Sequence, residues 1–410
     1  MMYHAYQTQS DVLWPLRAWA RAAAPMLMDD SLGWGLGDGG REPQRRVAAA
    51  CEVFNLVEVR HSRPDWGITS VRVCGDEVAV EEEATHTAAF ATLRRFRKAV
   101  AQPGPKVLIV APMSGHFATL LRDTVRTMLA DHDVYVTDWH NARDVPLAAG
   151  RFGLDEYTEH LMDFLAVLGP GAHLMAICQP CVASLAAAAL MAEDGHPATP
   201  ASLTLMAGPI DCRINPTGVN ELATSKPIEW FASKLISTVP WRLPGAGRQV
   251  YPGFLQLSAF MSMNKERHAT ALREYYGHLV AQEHDKAATT RNFYEEYFAE
   301  ADLPADFYLE TVEQVFQTFA LPRGELFWRG RRVNPAAIRR TALLTVEGER
   351  DDICSVGQTL AAQDLCSSVR PYMRTHYVQP GVGHYGVFSG RRWQQQIYPV
   401  VREAIHMAQP

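Results

Sequence analysis

The chain has 410 residues, a formal net charge of −6, and 47% hydrophobic against 20% charged residues. That length fits one large domain with insertions or two domains, and a mildly acidic balance without a long run of one sign argues against a nucleic-acid surface. No stretch approaches the roughly 18 apolar residues of a membrane span. The polar opening, Met1 to Asp11, lacks the basic and apolar regions of a signal peptide, so no secretory leader is expected.

In chain order, residues 11–30 carry Val12, Leu13, Leu16, Trp19, Ala20 and Ala23 at helical spacing and predict an amphipathic helix. Its Trp- and Leu-rich stripe is expected to pack in the core, with binding to an apolar phase as the alternative. Residues 31–45 are Gly-rich and charged and read as a mobile linker, closing an N-terminal unit at 1–45. Strands at 71–73, 77–82 and 93–97 form an antiparallel opening. Strand 107–111, helix 117–130, strand 134–138, helix 154–168, strand 173–177, helix 182–193 and strand 203–206 then alternate. The alternation breaks over 210–335, where helical segments (228–238, 251–260, 267–280, 291–298, 307–319) are split by Pro and Gly. It resumes with strands 341–346 and 375–378 and ends in helix 393–408. Such alternation predicts an α/β fold, a mostly parallel sheet covered by helices on both faces. Its two parts are 46–209 and 336–410, and 210–335 is a helical cap after the sixth strand. Trp230, Phe231, Trp241, Tyr251, Phe254, Phe260, Tyr275 and Tyr276 would give that cap an apolar lining over a pocket.

The segment His173 to Met191 is the most informative. A buried strand, a tight turn and an Ala-rich helix make the layout of a nucleophile elbow, the hallmark of the α/β-hydrolase fold. Against the usual Gly-x-Ser-x-Gly stand Gln179-Pro180-Cys181-Val182-Ala183, which puts the thiol of Cys181 at the apex. A cysteine at a helix N-terminus meets unpaired N–H groups and the positive end of the macrodipole, and both favour the attacking thiolate. Small Ala183, Ala186 and Ala187 let the helix start close to the strand. The competing reading is an inert core cysteine. Cys178-x-x-Cys181 also has the spacing of a redox pair, although it follows a buried strand inside the elbow. The seven cysteines show no metal-like spacing, and their odd number fits a reduced interior.

A thiol nucleophile needs a base and the base an orienting acid, in the chain order nucleophile, acid, histidine. After strand 341–346, Glu347-Gly-Glu-Arg-Asp351-Asp352-Ile353 presents paired acids. Asp351 is the favoured acid; Asp352 remains open, and Asp211 after the sixth strand is a rival. Gly383-His384-Tyr385-Gly386 follows the last strand and offers His384 as base. The loop Ala111 to Phe117 is expected to supply oxyanion-hole N–H groups at Met113 and Ser114, joined by that of Val182. Ser114, His116, Trp230, Tyr251, Phe254 and Tyr385 are candidate substrate contacts. The acyl-enzyme mechanism these residues imply requires no metal and no organic cofactor.

Several segments carry a resemblance: Pro112-Met-Ser-Gly-His-Phe through Arg126, Val134-Tyr-Val-Thr-Asp-Trp139, Cys178-Gln-Pro-Cys181, Gly208-Pro-Ile-Asp211, Val250-Tyr-Pro-Gly-Phe-Leu255, and Gly383-His-Tyr-Gly-Val-Phe-Ser-Gly-Arg-Arg-Trp393. With the opening Asp11-Val-Leu-Trp-Pro15 they span nearly the whole chain, which resembles the intracellular polyhydroxyalkanoate (polyhydroxybutyrate) depolymerases. The resemblance implies an α/β-hydrolase with a Cys–Asp–His triad at Cys181, Asp351 and His384. It implies hydrolysis of storage polyester in cytoplasmic granules, with release of 3-hydroxybutyrate and short oligomers. The implied partner is the polymer granule surface, with no nucleic acid and no membrane span; a homodimer is left open. The alternatives are a polyhydroxyalkanoate synthase-like acyltransferase, a non-catalytic granule protein, and a small-ester hydrolase.

Overall fold

The structure is a computed structural model that describes residues 2–29, 38–263 and 265–409. Nine strands make the main sheet: β1 (Ser70–Val73), β2 (Asp76–Thr87), β3 (Ala91–Lys98), β4 (Lys106–Val110), β5 (Asp133–Trp139), β6 (His173–Ile177), β7 (Ser202–Met206), β8 (Ala342–Gly348) and β9 (Arg374–Gln379). Their spatial order is β1-β2-β3-β5-β4-β6-β7-β8-β9. The pairings from β1 to β5 along that order are antiparallel, and those from β5 to β9 are parallel. Counted from β2, the order reads 1-2-4-3-5-6-7-8, which is the α/β-hydrolase sheet. Every residue of β5, β6 and β7 is buried. Runs such as Val107-Leu-Ile-Val110 suit strands covered on both faces.

The helices that cover the sheet differ in pattern because they differ in burial. In order, α1 is Met2–Met28, α2 is Asp38–Leu56, α3 is Arg122–Met128, α4 is Leu154–Leu168 and α5 is Cys181–Glu193. On α4, Leu154, Tyr157, Leu161, Phe164, Leu165 and Leu168 form one buried stripe. Glu156 closes its first turn by accepting the Gly153 N–H at 2.7 Å. On α5, eleven consecutive residues from Cys181 to Met191 are buried. A helix enclosed on all sides beside a sheet needs small side chains, which is what its Ala run supplies. The C-terminal helix Tyr398–Met407 follows a π-helical turn at Trp393–Ile397.

Between β7 and β8 the chain leaves the sheet and builds a cap. It contains α6 (Gly218–Thr224), α7 (Ile228–Leu235), α8 (Gly253–Met263), α9 (Lys265–Val280), α10 (His284–Tyr297) and α11 (Ala305–Thr311). Three short antiparallel strands, Ser237–Thr238, Gln249–Tyr251 and Leu303–Pro304, tie its parts together. Tyr275, Tyr294, Tyr297 and Phe298 form a core of the cap's own with Leu56 of α2.

The N-terminal unit departs from the expectation in two ways. The expected linker is in part helix, since α2 begins at Asp38; residues 30–37 lie outside the described residues. The run Val47-Ala-Ala-Ala50 favours helix, and Cys51 and Phe54 of α2 pack on Ala20 and Ala24 of α1. Because α1 buries that small-residue face, its large apolar stripe stays outside: Trp14, Leu16 and Trp19 are 62%, 52% and 57% exposed. The start of α1 is clasped to the cap. The Tyr3 hydroxyl donates to Asp302 Oδ2 at 2.6 Å, and Tyr6 stacks on Phe254 at 4.2 Å between ring centroids.

Candidate active site

Strand β6 ends at Ile177, and the next residue makes the sharp turn. Cys178 has φ +66°, a left-handed conformation costly for a residue with a Cβ. Its N–H bonds Met206 O at 2.8 Å, and its own carbonyl accepts the Cys181 N–H at 3.2 Å. Pro180 precedes the helix, where the missing N–H of proline costs nothing, and α5 starts at Cys181. The elbow apex is therefore Cys178, half-buried and lining a cavity.

Cys181 lies elsewhere. It is completely buried, its Sγ sits 3.4 Å from Ala176 O and 3.7 Å from Met206 O, and burial pushes its thiol well above the usual range. It faces Gly208 so closely that a Cβ built on that glycine would stand 2.2 Å from its sulfur. This overturns the placement of the nucleophile at Cys181: the sulfur is a packing element under the elbow, sealed from the cavity. Val182 falls with it as an oxyanion donor. It lies buried in the first turn of α5, away from the cavity, and the residue that follows the apex is Gln179.

The expected base, His384, and the expected acid, Asp351, come from loops after β9 and β8. His384 Nδ1 and Asp351 Oδ2 are 2.8 Å apart. Asp351 Oδ1 accepts the N–H groups of Ile353 at 2.9 Å and Cys354 at 2.8 Å, which aims the carboxylate at the imidazole. The loop is anchored from below by buried Glu347, whose carboxylate accepts the N–H groups of Gly357, Thr359 and Leu360. His384 and Cys178 line the same cavity. Burial opposes a charged imidazole here, but the neighbouring Cys178 and the Asp351 carboxylate outweigh it and hold His384 well above the ordinary histidine range. Asp352 is exposed, and Asp211 is committed to Arg213 through bonds of 2.7 and 2.8 Å. Neither reaches His384.

The loop after β4 closes the other side. Trp139 Nε1 donates to Ala111 O at 2.8 Å and fixes its start. Gly115 has φ +105°, and a Cβ there would meet Glu300 Oε2 at 2.4 Å, so only glycine fits between loop and cap. Its carbonyl accepts the Ala301 N–H at 2.6 Å. His116 Nδ1 lies 3.1 Å from Glu300 Oε1, with both side chains buried. Burial drives His116 down to about 4 and Glu300 well up, so the two meet as neutral imidazole and carboxylic acid. In the same loop, Met113 N–H donates to the Gln179 side-chain oxygen at 3.2 Å.

These groups open on a cavity of about 270 Å³ between the sheet ends and the cap. Met113, Ser114, His116, Tyr251, Tyr385 and Phe388 line it, as do Phe231 of α7 and Phe307 and Tyr308 of α11. Tyr251 and Tyr308 stack at 4.0 Å. Two expected substrate contacts are not part of the wall. Trp230 is turned outward, 37% exposed, with Phe231 in its place, and Phe254 is taken up by Tyr3 and Tyr6. Trp241 is exposed, Tyr275 belongs to the cap's own core, and the Phe260 side chain lies outside the described residues. Cys178 and Gln179 were missed because the motif was centred on the second cysteine. The usable signal was Pro180: a helix starting after it leaves the apex to the residue directly following the strand.

Residues 207–409, which carry the cap, Asp351 and His384, match the family described as PHB de-polymerase C-terminus. Over those residues the chain matches the PHB depolymerase family. No curated protein matches the chain in sequence. Solved structures similar to it include the α/β-hydrolase GrgF from Penicillium sp. sh18, at 16% identity and TM-score 0.44, over 81% of this chain and 97% of that one. A thermophilic esterase from Thermogutta terrifontis matches at 14% identity and TM-score 0.42, over 83% and 98%. A 2-hydroxy-6-oxo-6-phenylhexa-2,4-dienoate hydrolase from Rhodococcus sp. strain RHA1 matches at 11% identity and TM-score 0.44, over 80% and 99%.

Proposed function

We propose that the chain hydrolyses the ester bonds of storage polyhydroxyalkanoate, poly(3-hydroxybutyrate) above all, through a Cys178–His384–Asp351 triad. The family and the fold support ester hydrolysis at the coarser level. The observation that carries this reading is that His384, held by Asp351 at 2.8 Å, lines the same cavity as Cys178 at the strained elbow turn.

In the proposed cycle His384 holds the proton of the Cys178 thiol, and the thiolate attacks the ester carbonyl. The carbonyl pair moves to oxygen, stabilised by the backbone N–H groups of Gln179 and Met113. As the tetrahedral state collapses, the C–O bond breaks and His384 gives its proton to the departing hydroxyl end of the polymer. A thioester remains on Cys178. Water then loses a proton to His384 and attacks that thioester. The acid leaves, and the proton returns to the thiolate. Asp351 keeps the imidazole oriented and stabilises its charge throughout. The apolar cavity suits a repeating unit of ester and short alkyl groups.

Purified protein supplied with native polyester granules should release titratable acid and 3-hydroxybutyrate. Cys178→Ala should lower that rate by roughly 10³-fold or more. Wild-type turnover in Cys178→Ala refutes the nucleophile. Polymer growth from 3-hydroxybutyryl-CoA with release of coenzyme A refutes hydrolysis in favour of acyl transfer.

A further inference from the structure

The loop after β4 and the elbow meet in a contact that the cycle above does not use. The Gln179 carboxamide oxygen already occupies the Met113 N–H, at 3.2 Å. In this fold that loop supplies the second donor to the oxyanion, and the first is the backbone N–H of Gln179 itself. A carboxamide oxygen imitates an ester carbonyl oxygen closely: both are neutral sp² acceptors with lone pairs in the carbonyl plane. The residue after the nucleophile thus sets an acyl-like oxygen on the donor where the substrate's oxygen has to arrive. Gln179 is half-buried and lines the cavity beside Cys178, so its side chain has space to withdraw.

We infer that Gln179 is the resting occupant of the oxyanion hole, yielding the Met113 N–H to the substrate carbonyl and taking it back when product leaves. Gln179 then acts at two atoms: its N–H stabilises the oxyanion, and its side chain keeps the second donor satisfied between turnovers. The exchange replaces one neutral hydrogen bond by another while the acyl group enters. It is replaced by a stronger one when charge develops on the oxygen, so the occupant is tuned to lose against the transition state. A fixed tether between elbow and loop predicts the opposite response to removal of the carboxamide, as does a third donor acting through the amide nitrogen.

The inference rests on Cys178 as nucleophile, and one probe tests both separately. Butyraldehyde adds to the Cys178 sulfur: an S–C bond forms, the carbonyl π pair moves to oxygen, and that oxygen takes the thiol's proton or shares it with His384. Its affinity is read by calorimetry and by inhibition of 4-nitrophenyl butyrate hydrolysis. Gln179→Ala and Gln179→Met should bind the aldehyde about five-fold or more tightly than the unaltered protein, the factor one displaced neutral hydrogen bond is worth. Gln179→Glu should bind it more weakly, because a carboxylate holds the N–H through a charge-assisted bond. Met preserves the length of the side chain, so a melting temperature equal to that of the unaltered protein guards against collapse of the loop. Equal or weaker aldehyde binding by folded Gln179→Met overturns the inference. Absence of binding to the unaltered protein, or binding that persists in Cys178→Ala, counts instead against Cys178.

Discussion

Two cysteines three positions apart occupy opposite physical worlds. Cys178 lines the cavity together with His384, and Cys181 is packed under the turn against Gly208. Replacing each gives contrasting outcomes. Cys178→Ala should abolish ester hydrolysis with little change in Tm. Cys181→Ala should retain the rate within a few-fold and lose about 1 kcal/mol of stability, the worth of one small buried group; granule hydrolysis and urea melts on both variants check this. Asp351→Asn should cut kcat by roughly 10³- to 10⁴-fold, since the amide no longer holds the imidazole in its working tautomer. Steady-state kinetics on a soluble ester measure it, and a loss confined to KM would contradict the assigned role.

At the scale of elements, the elbow and the strand beside it interlock. A Cβ at Gly208 would meet Cys181 Sγ at 2.2 Å and its Cβ at 2.3 Å. Gly208→Ala should therefore cost about 1–3 kcal/mol, as overpacking does. Adding Cys181→Gly should recover part of that cost, a coupling that a double-mutant cycle detects. The clasp between α1 and the cap is a second such joint: Tyr3→Phe should lose about 1.5–3 kcal/mol, the value of a hydrogen bond to a charged group. Faster protease cleavage within α1 at unchanged sheet stability is the readout. The alternation of apolar strands and helices made the sheet and its insertion legible in the sequence, because period and burial go together there. The loop carrying Asp351 and the glycine-flanked His384 were legible for a similar reason: each directly follows a strand end. The elbow register was not, since two thiols offered two centrings and only backbone geometry separates them. The exposure of Trp14 and Trp19 was also hidden, because periodicity marks a stripe without saying which face of a helix is covered. Trp230 and Phe231 are adjacent aromatics on one cap helix, and composition does not tell which one turns inward.

For the whole molecule, buried histidines set the response to acid. Burial holds His61 at about 3 and His116, His132 and His173 at about 4, below the ordinary value of 6.5. The unfolded chain takes up these protons first, so their contribution to stability is present above about pH 6.5 and is lost as pH falls through the native values. Glu300 acts in the other sense, as does His384 above neutrality: each keeps a proton in the native state that the unfolded chain releases, so each costs stability as pH rises. Asp302, Glu310 and Asp144 are raised by burial as Glu300 is, but the four histidines, joined by His160 and His268, outnumber these carboxylates six to four on the acid side. Tm should therefore peak near neutrality and fall on either side, and scanning calorimetry from about pH 5 to about pH 9 tests it; a peak below about pH 5 would contradict the balance.

The parallel seam between β7 and β8 joins Ala342 to Ser202 and Val346 to Met206, while residues 207–341 make the whole excursion of the cap in between. Asp351 and His384 lie on the far side of that seam from the Cys178 sulfur. Refolding therefore has to close a very long chain loop before a reactive centre exists, and non-local pairings of this kind are slow to form. After dilution from denaturant, helical signal should return well ahead of esterase activity. An exposed β7 edge would be waiting in the interval, a template for association between chains.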